Sequence, residues 1–311
     1  MPPEPKSSRG KWIAVYVGFF IVALIFGVYV TFPYDALKSR AQMEAASAGY
    51  FVRMDSLGPG LFGVTAKDVK ISKAIAEGSD TPPPSLQLES VSLRPALFPP
   101  GFAFRANAFG GVISGSIGGL GDIGLRVHLD EISLSEGNLK AFSGVDLSGK
   151  ANADLALDIP RVAAPGSKVK EPDLAQANGN FDLNVDGLSV NGGTVTVPMY
   201  GEPTPMDLPK IVVGNVEGKI KFEKGIGTIE KFHGKGSDLE LFLAGTLKLS
   251  RKLEYAEPAI DLKLKAEPDF VKRLGLIGAG LSMMGPDKTD PSFRAARITG
   301  YLGRPNFQPQ R

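Results

Sequence analysis

Alternation of apolar and polar residues with a period of two is the feature that most limits what this chain can fold into. The segment FDLNVDGLSV places Phe181, Leu183 and Val185 on one side of an extended chain, with acidic and amide side chains between them. Successive side chains of a β-strand point to opposite faces, so this pattern is typical of a strand with one buried face. The same alternation recurs in ANADLALDI (151–159), GKIKF (218–222), DLELFLAGTLKL (238–249) and IDLKLKA (260–266). The sequence therefore predicts a mainly β fold of several, mostly antiparallel strands.

Glycine punctuates these strands. The 311 residues include 38 glycines, well above the usual share of about 7%. A loose theme puts a glycine ahead of an alternating segment, as in LSGKANADLAL, ANGNFDLNV, NVEGKIKF and LAGTLKL, but its spacing is too irregular for a solenoid. We expect an elongated, twisted or curved sheet whose glycines mark bends, bulges or close backbone approach.

An uncharged segment, WIAVYVGFFIVALIFGVYVTFPY, precedes the strands at residues 12–34. A membrane-spanning helix needs about 20 apolar residues, whereas the apolar part of a cleaved signal peptide has about 7–15 and ends at small residues. We predict an uncleaved signal anchor rather than a signal peptide or a buried soluble helix. The side chains expected at the two membrane interfaces are Lys11, Trp12, Tyr16, Phe32 and Tyr34.

Basic residues set the expected orientation of this anchor. Residues 1–11 contain three basic residues and one acidic residue, while the charges just after the span are mixed. The positive-inside rule then places a basic tail, 1–11, in the cytoplasm and residues 35–311 in the periplasm of a bacterium. The expected location is the inner membrane, as a single-pass protein.

Two kinds of helix are predicted beyond the span. Residues 35–49 favour a short juxtamembrane helix that ends at a glycine. Within the β-rich region, 50–311, the alternation stops at 135–142 and at 269–285, and the second of these segments is amphipathic enough to cap a sheet end or to touch a membrane. We treat 50–311 as one periplasmic domain with a candidate seam at 161–173.

Composition excludes several classes of function. The chain lacks cysteine, which removes disulfides, thiol nucleophiles and cysteine-ligated metals, and it has only two histidines. Lys+Arg number 35 against 33 Asp+Glu, so no basic excess is available to neutralise nucleic acid. We therefore expect a protein without enzymatic activity, cofactor, metal site or nucleic-acid partner.

Individual motifs agree with this expectation. The run from Gly119 to Gly124 matches G-x-G-x-x-G, but a strand-like segment follows where a dinucleotide site needs a helix, so a loop or hairpin is predicted. His128 alternates with Arg126 and Asp130, which is typical of a solvated strand face, and His233 is interpreted in the same way. A carboxylate pair of a hydrolase stays open, because separation in space decides it.

The layout resembles the type II secretion system protein N family. The shared features are a basic N-terminus, one uncleaved span, a glycine-punctuated β domain and the closing segment ITGYLGRPNF, in which Gly300, Leu302, Pro305 and Phe307 match the family's closing phrase. The resemblance implies an inner-membrane accessory or scaffold subunit of the machinery that exports folded proteins across the outer membrane. Its implied partners are the inner membrane and other type II secretion subunits.

A second function follows from the same resemblance. The family is similar to AsmA-like and bridge-type proteins, in which curved sheets present an apolar groove to lipid acyl chains. The apolar faces of segments such as 151–159 and 239–243 could line either a closed core or such a groove. Whether these faces are covered decides between a scaffold and a lipid-binding or lipid-transfer protein.

Overall fold

A computed structural model gives the fold of most of the chain. It describes residues 31–47, 49–60, 62–73, 85–137, 139–140, 145–163, 169–199, 202–275 and 284–309, with 16–20, 23, 27, 29, 278 and 281. The predicted span at 12–34 lies largely outside these residues, and its described positions from Tyr16 to Thr31 are helical. Among the described residues, no helix combines the length and the apolar character that crossing a bilayer requires.

Strands dominate the described part of the chain. They account for 64% of the residues and form a large antiparallel sheet, which confirms the mainly β prediction. The helices are α1 (Tyr34–Ser47) and α2 (Pro268–Leu274), with 3₁₀ turns at Leu174–Gln176 and Leu253–Tyr255. The strands are β1 Tyr50–Arg53, β2 Ser56–Gly60, β3 Gly63–Lys73, β4 Ser85–Leu97, β5 Pro100–Ala108, β6 Gly111–Gly118, β7 Ile123–Ser133, β8 Asp146–Ile159, β9 Arg161–Ala163, β10 Lys170–Pro172, β11 Asn178–Met199, β12 Glu202–Leu208, β13 Ile211–Glu223, β14 Ile226–Lys235, β15 Leu239–Lys248, β16 Glu257–Ala266, β17 Gly285–Pro286, β18 Arg294–Tyr301 and β19 Arg304–Pro309.

The sheet is a long meander. From β3 the strands pair antiparallel in the order β3, β4, β5, β6, β7, β8, β11, β13, β14, β15, β16, β18 and β19. β1 and β2 both pair with β3, and β12 pairs with the last third of β11, from Gly193 to Met199. The short hairpin of β9 and β10 stands apart from the ladder. β8 and β11 lie on either side of the candidate seam at 161–173 and pair directly, so the ladder is continuous there.

Bulges bend the sheet along one line, which we call the crease. Glu131 in β7, Gly149 in β8, Gly187 in β11 and Gly214 in β13 all have positive φ. The strand register shifts beside each of them. A bulge bends its strand and increases the local twist, and these four lie on consecutive strands of the ladder. The expectation that glycines mark bends and bulges is therefore confirmed.

The largest cluster of buried side chains lies beside the crease. Phe109, Ile132, Val185 and Val216 belong to one cluster of buried side chains, which draws on β7, β11, β13 and the turn after β5. These residues come from the same end of their strands as the bulges. The bend therefore closes the sheet on itself at this end.

The helix α2 packs as the capping interpretation of 269–285 predicted. It buries Phe270 and Leu274, and Arg273 is ion-paired with Asp238. The second oxygen of Asp238 accepts a hydrogen bond of 2.7 Å from the backbone N–H of Val212 at the start of β13. The helix is thus tied to two strand ends. The other predicted helical segment, 135–142, falls partly outside the described residues. Of its described positions, 139 and 140 are helical.

Each edge of the ladder is protected. At the first edge, Lys38 and Gln42 of α1 donate hydrogen bonds of 3.2 and 3.1 Å to the backbone carbonyls of Asp55 and Val52. At the last edge, β19 contains Pro305 and Pro309, which have no N–H to offer another strand. Prolines and covering helices are common devices against edge-to-edge pairing.

Candidate functional site

One row of apolar positions crosses thirteen strands in direct register, and we call it the apolar strip. Each member is the paired neighbour of the next along the ladder. Two members are glycines, and the others are aliphatic or aromatic. The members are Val64, Leu93, Phe104, Gly115, Val127, Leu155, Phe181, Ile220, Ile229, Gly245, Ile260, Ile298 and Phe307.

The apolar strip is long and wide enough for an extended ligand. Neighbouring strands lie about 4.8 Å apart, so twelve steps along the ladder cover about 58 Å. Residues two positions away share the same face, and in β7 these are Leu125 and Leu129 on either side of Val127. With both flanking rows the apolar surface is about 13 Å wide. A bilayer core of about 30 Å holds two leaflets, so the strip is several acyl-chain lengths long.

The apolar strip is not covered as the core of a sandwich would be. Of its side chains only Ile229 is buried, Leu93 and Phe307 are exposed, and the rest are half-buried. Among the described residues, no large side chain is less than 2% exposed. The inner faces of a two-layer β fold are normally buried against each other. The strip is therefore half-exposed, and in its middle, on β8, β11 and β13, it packs against a second buried cluster that includes Leu157 and Phe222.

Aromatic rings lie over glycines of neighbouring strands on this face. A Cβ atom on Gly115 would lie 2.8 Å from the ring of Phe104, and one on Gly227 would lie 2.5 Å from the ring of Phe222. The glycines leave space into which the rings fold down against the backbone. The result is a shallow apolar surface instead of a deep pocket.

The opposite face of the same strands is polar. One registered row contains Arg105, Ser114, His128, Asp154, Asp182, Lys219 and Lys231. His128 Nδ1 lies 2.6 Å from Asp154 Oδ1, and Lys219 Nζ lies 3.1 Å from Asp182 Oδ1. A hydrogen bond from Asn180, and then the Lys219 ammonium, lower the pKa of Asp182. This is the solvated face that the sequence predicted for His128.

His233 is less exposed than a solvated strand face implies. Its ring stacks on Phe242 at 4.3 Å, and its Nε2 lies 3.0 Å from Glu240 Oε1. The hydrogen bond from His233 lowers the pKa of Glu240. The interpretation of His233 as simply solvated was wrong, because the phenyl ring of Phe242 covers one side of the imidazole.

The predicted interface residues lie at the start of the described chain. Lys11 and Trp12 fall outside the described residues, and Tyr16 and Phe32 are exposed. The rings of Phe32 and Tyr34 meet edge to face at 5.2 Å. These two rings thus form a pair at the start of α1.

The four residues of the closing phrase lie in the hairpin of β18 and β19. Gly300 pairs with Pro305 across the hairpin, and the backbone N–H of Leu302 donates a 2.8 Å hydrogen bond to the carbonyl of Ala256. Phe307 is the last member of the apolar strip. The phrase therefore closes the ladder and fixes its last turn to β16.

The sequence motifs considered for nucleotide or metal binding do not form such sites among the described residues. The run from Gly119 to Gly124 forms the turn between β6 and β7 and the first two residues of β7, as predicted for a hairpin. Throughout the described ranges, no three histidine or carboxylate side chains come together as a metal site. The apolar strip is the feature of this sheet that best fits a binding role.

Comparisons with known proteins add no relative. No protein-family model, no curated protein and no solved structure matches the chain. The resemblance to the type II secretion system protein N family thus stays a prediction from layout and from the closing phrase.

Proposed function

We propose that this protein binds elongated apolar ligands of the acyl-chain class along the apolar strip. The observation that supports the proposal is the unbroken register of thirteen apolar positions on a half-exposed face. Each methylene group removed from water contributes about 0.8 kcal/mol, so an acyl chain lying on the strip gains several kcal/mol before the costs of association. The surface suits a ligand that is long, flexible and without strong polar features.

The predicted membrane anchor favours a lipid as the source of that chain. A domain tethered by residues 12–34 would stand beside a bilayer, where acyl chains are abundant. A shallow open surface allows a chain to enter sideways, without the opening of a lid. The function that follows is lipid binding or lipid transfer next to the inner membrane.

Opposite faces of one strand provide a matched test. Leu155 lies in the apolar strip between Val127 and Phe181, whereas Ala156 points to the polar face beside Arg126. Full-length protein carrying Leu155→Asp should lose co-purifying lipid and lose binding of a fluorescent fatty acid by at least an order of magnitude, because a carboxylate on the strip stays hydrated. Ala156→Asp should leave both quantities unchanged.

A second pair of variants separates ligand loss from misfolding. Ile298→Asp alters the far end of the strip and Thr299→Asp the opposite face of the same strand. Circular dichroism establishes that each variant keeps its strands. Lipid content equal to wild type in both folded strip variants would rule out the proposal.

A secretion scaffold is the second candidate, favoured by one projecting element. β11 pairs with β8 as far as Gly192 and with β13 as far as Val190, while its pairing with β12 continues to Met199. The hairpin 193–208 therefore extends beyond the sheet. Since α1 and the prolines of β19 protect the ladder edges, a protein partner would contact this hairpin or the loops.

Crosslinking in cells tests the scaffold. A photo-reactive residue at Asp207, in the projecting hairpin, should capture subunits of the type II machinery, and one at Thr228, exposed on the polar face of β14, should not. An Asp207 variant that captures none of these subunits in secreting cells would exclude docking through the hairpin.

A further inference from the structure

Four large apolar side chains stand at consecutive hairpin tips, and we call them the tip patch. Phe62 lies in the turn of β2 and β3, and Leu120 lies in that of β6 and β7. Leu97 is the last residue of β4, and Phe98 follows it in the turn of β4 and β5. They are 81%, 77%, 96% and 90% exposed. Because strand direction alternates, these three turns share one end of the sheet.

The tips are close enough to act together. Successive turns are two strands apart, or roughly 10 Å, so the tip patch is about 20 Å across. Single exposed apolar side chains are ordinary, but a contiguous group marks an interaction site. At the opposite end of the sheet, Phe109 in the turn of β5 and β6 is buried. Exposed rings at that end, Tyr50 and Phe51 of β1, are 44% and 51% exposed and lie in a strand instead of a turn.

The backbone holds these side chains outward. Pro99 and Pro100 follow Phe98 and restrict φ through that turn. Phe62 has a φ of +59°, in the left-handed region that favours glycine or asparagine. A large apolar residue at such a position, directed to the outside, indicates a role other than packing within the sheet.

The chain enters the domain at the same end. Along α1, Gln42 contacts Val52 and Lys38 contacts Asp55, so the helix runs antiparallel to β1 and β2. Its first residue, Tyr34, lies about 6 Å further along the helix, toward the end of β2 from which Phe62 projects. The predicted span of residues 12–34 immediately precedes this point. A bilayer that held the span would lie next to the tip patch.

We infer that the tip patch inserts into the bilayer interface beside the predicted anchor, and that the occupant of this surface is lipid. The strands would then stand upright on the membrane. The first members of the apolar strip lie up to four residues above the tips, or within about 13 Å of the bilayer surface. Insertion of the tips does not require a ligand on the strip.

The absence of cysteine makes a direct test available. Full-length Phe98→Cys and Leu120→Cys variants are labelled with an environment-sensitive fluorophore and reconstituted into vesicles of phosphatidylethanolamine and phosphatidylglycerol. The control is Ser237→Cys, in the exposed turn of β14 and β15 at the other end of the sheet. Nitroxide-labelled lipid should quench the labels at 98 and 120 severalfold more than the label at 237.

Three results would overturn the inference. Equal quenching at 98, 120 and 237 would show that the tips do not enter the bilayer. A blue-shifted label that lipid nitroxide does not quench would indicate that a protein covers the tips, and a signal that depends on protein concentration would identify a second copy.

A double variant separates tip insertion from ligand binding on the strip. When Leu155→Asp is added to the labelled variants, quenching at the tips should persist while bound lipid is lost.

Discussion

The side-chain oxygen of Asn215 accepts a 3.0 Å hydrogen bond from the backbone N–H of Gly187, the bulge residue of β11. Asn152 accepts a 2.8 Å bond from Glu131 N–H in the same way. A bulge removes an N–H from strand pairing, and that group needs another acceptor. Two asparagines, on the β8 and β13 strands that flank β11, therefore stabilise the crease.

Replacement of Asn215 by alanine should loosen the crease. Gly187 is exposed, so water replaces part of the lost bond and the expected cost is about 1 kcal/mol. For a domain of this size that is a fall of about 2–4 °C in Tm. Hydrogen exchange should speed up first in the peptide around residue 187. Asn180→Ala, which removes a bond to the exposed Asp182, is the control and should leave exchange near 187 unchanged.

Addition of one methyl group at Gly115 should destabilise the sheet. The new Cβ would lie 2.3 Å from the carbonyl oxygen of Arg126 and 2.8 Å from the ring of Phe104. Overpacking of this kind costs about 1–3 kcal/mol, so Gly115→Ala should lower Tm by several degrees. The matched control is Gly121→Ala, where nothing lies within 4 Å. A Tm of Gly115→Ala equal to that of Gly121→Ala would contradict the proposed contact of ring and glycine.

The alternation of apolar and polar residues predicted much of this fold, because most strands pair with the strand next to them in the chain. Alternation in the segment around Phe181 and Leu183 located the β11 strand and its apolar face, and Gly49 located the end of α1. The strip itself needed more than pattern. Its register depends on bulges such as those at Glu131 and Gly187, and a shift of one residue exchanges the two faces of a strand.

The tip patch had no periodic signal. Phe62, Phe98 and Leu120 lie in turns, where apolar residues follow no repeat, and only the alternating strand directions bring them to one end. A large apolar residue between prolines or glycines, as in FPPG or GGLG, was the available sequence signal. The environment of His233 was also missed, because Phe242 meets it from another strand.

Acid should weaken the loop before β18 through Asp287. Hydrogen bonds from the Thr289 hydroxyl and then from the Lys263 ammonium lower the pKa of this nearly buried carboxyl strongly. A carboxyl with a depressed folded-state pKa contributes stability above its unfolded value, about 3.9, and loses it as the pH falls below that value.

The pH dependence of Tm tests this contribution. Between pH 6 and pH 2, Asp287→Asn should start at a lower Tm and lose less on acidification than wild type. Asp122→Asn, in the exposed turn of β6 and β7, is the control and should follow the wild-type curve. Parallel curves for Asp287→Asn and wild type would show that Asp287 makes no such contribution.

The predicted orientation of the anchor can be tested by labelling whole cells. Ser7→Cys lies in the expected cytoplasmic tail, and Ser237→Cys lies in the expected periplasmic domain. A maleimide that passes the outer membrane but not the inner membrane should label position 237 in intact cells, and position 7 only after lysis. The reverse pattern would invert the topology, and equal labelling of both in intact cells would contradict a single span.

The meander also sets the order in which the protein can fold. Almost every strand pairs with the strand just before it in the chain, so each new strand needs only what has already been made. Such local pairing keeps contact order low for so large a sheet. A polypeptide that emerges from a translocation channel from residue 35 onward would add one hairpin after another. Assembly would then finish with β19, whose prolines stop further growth of the sheet.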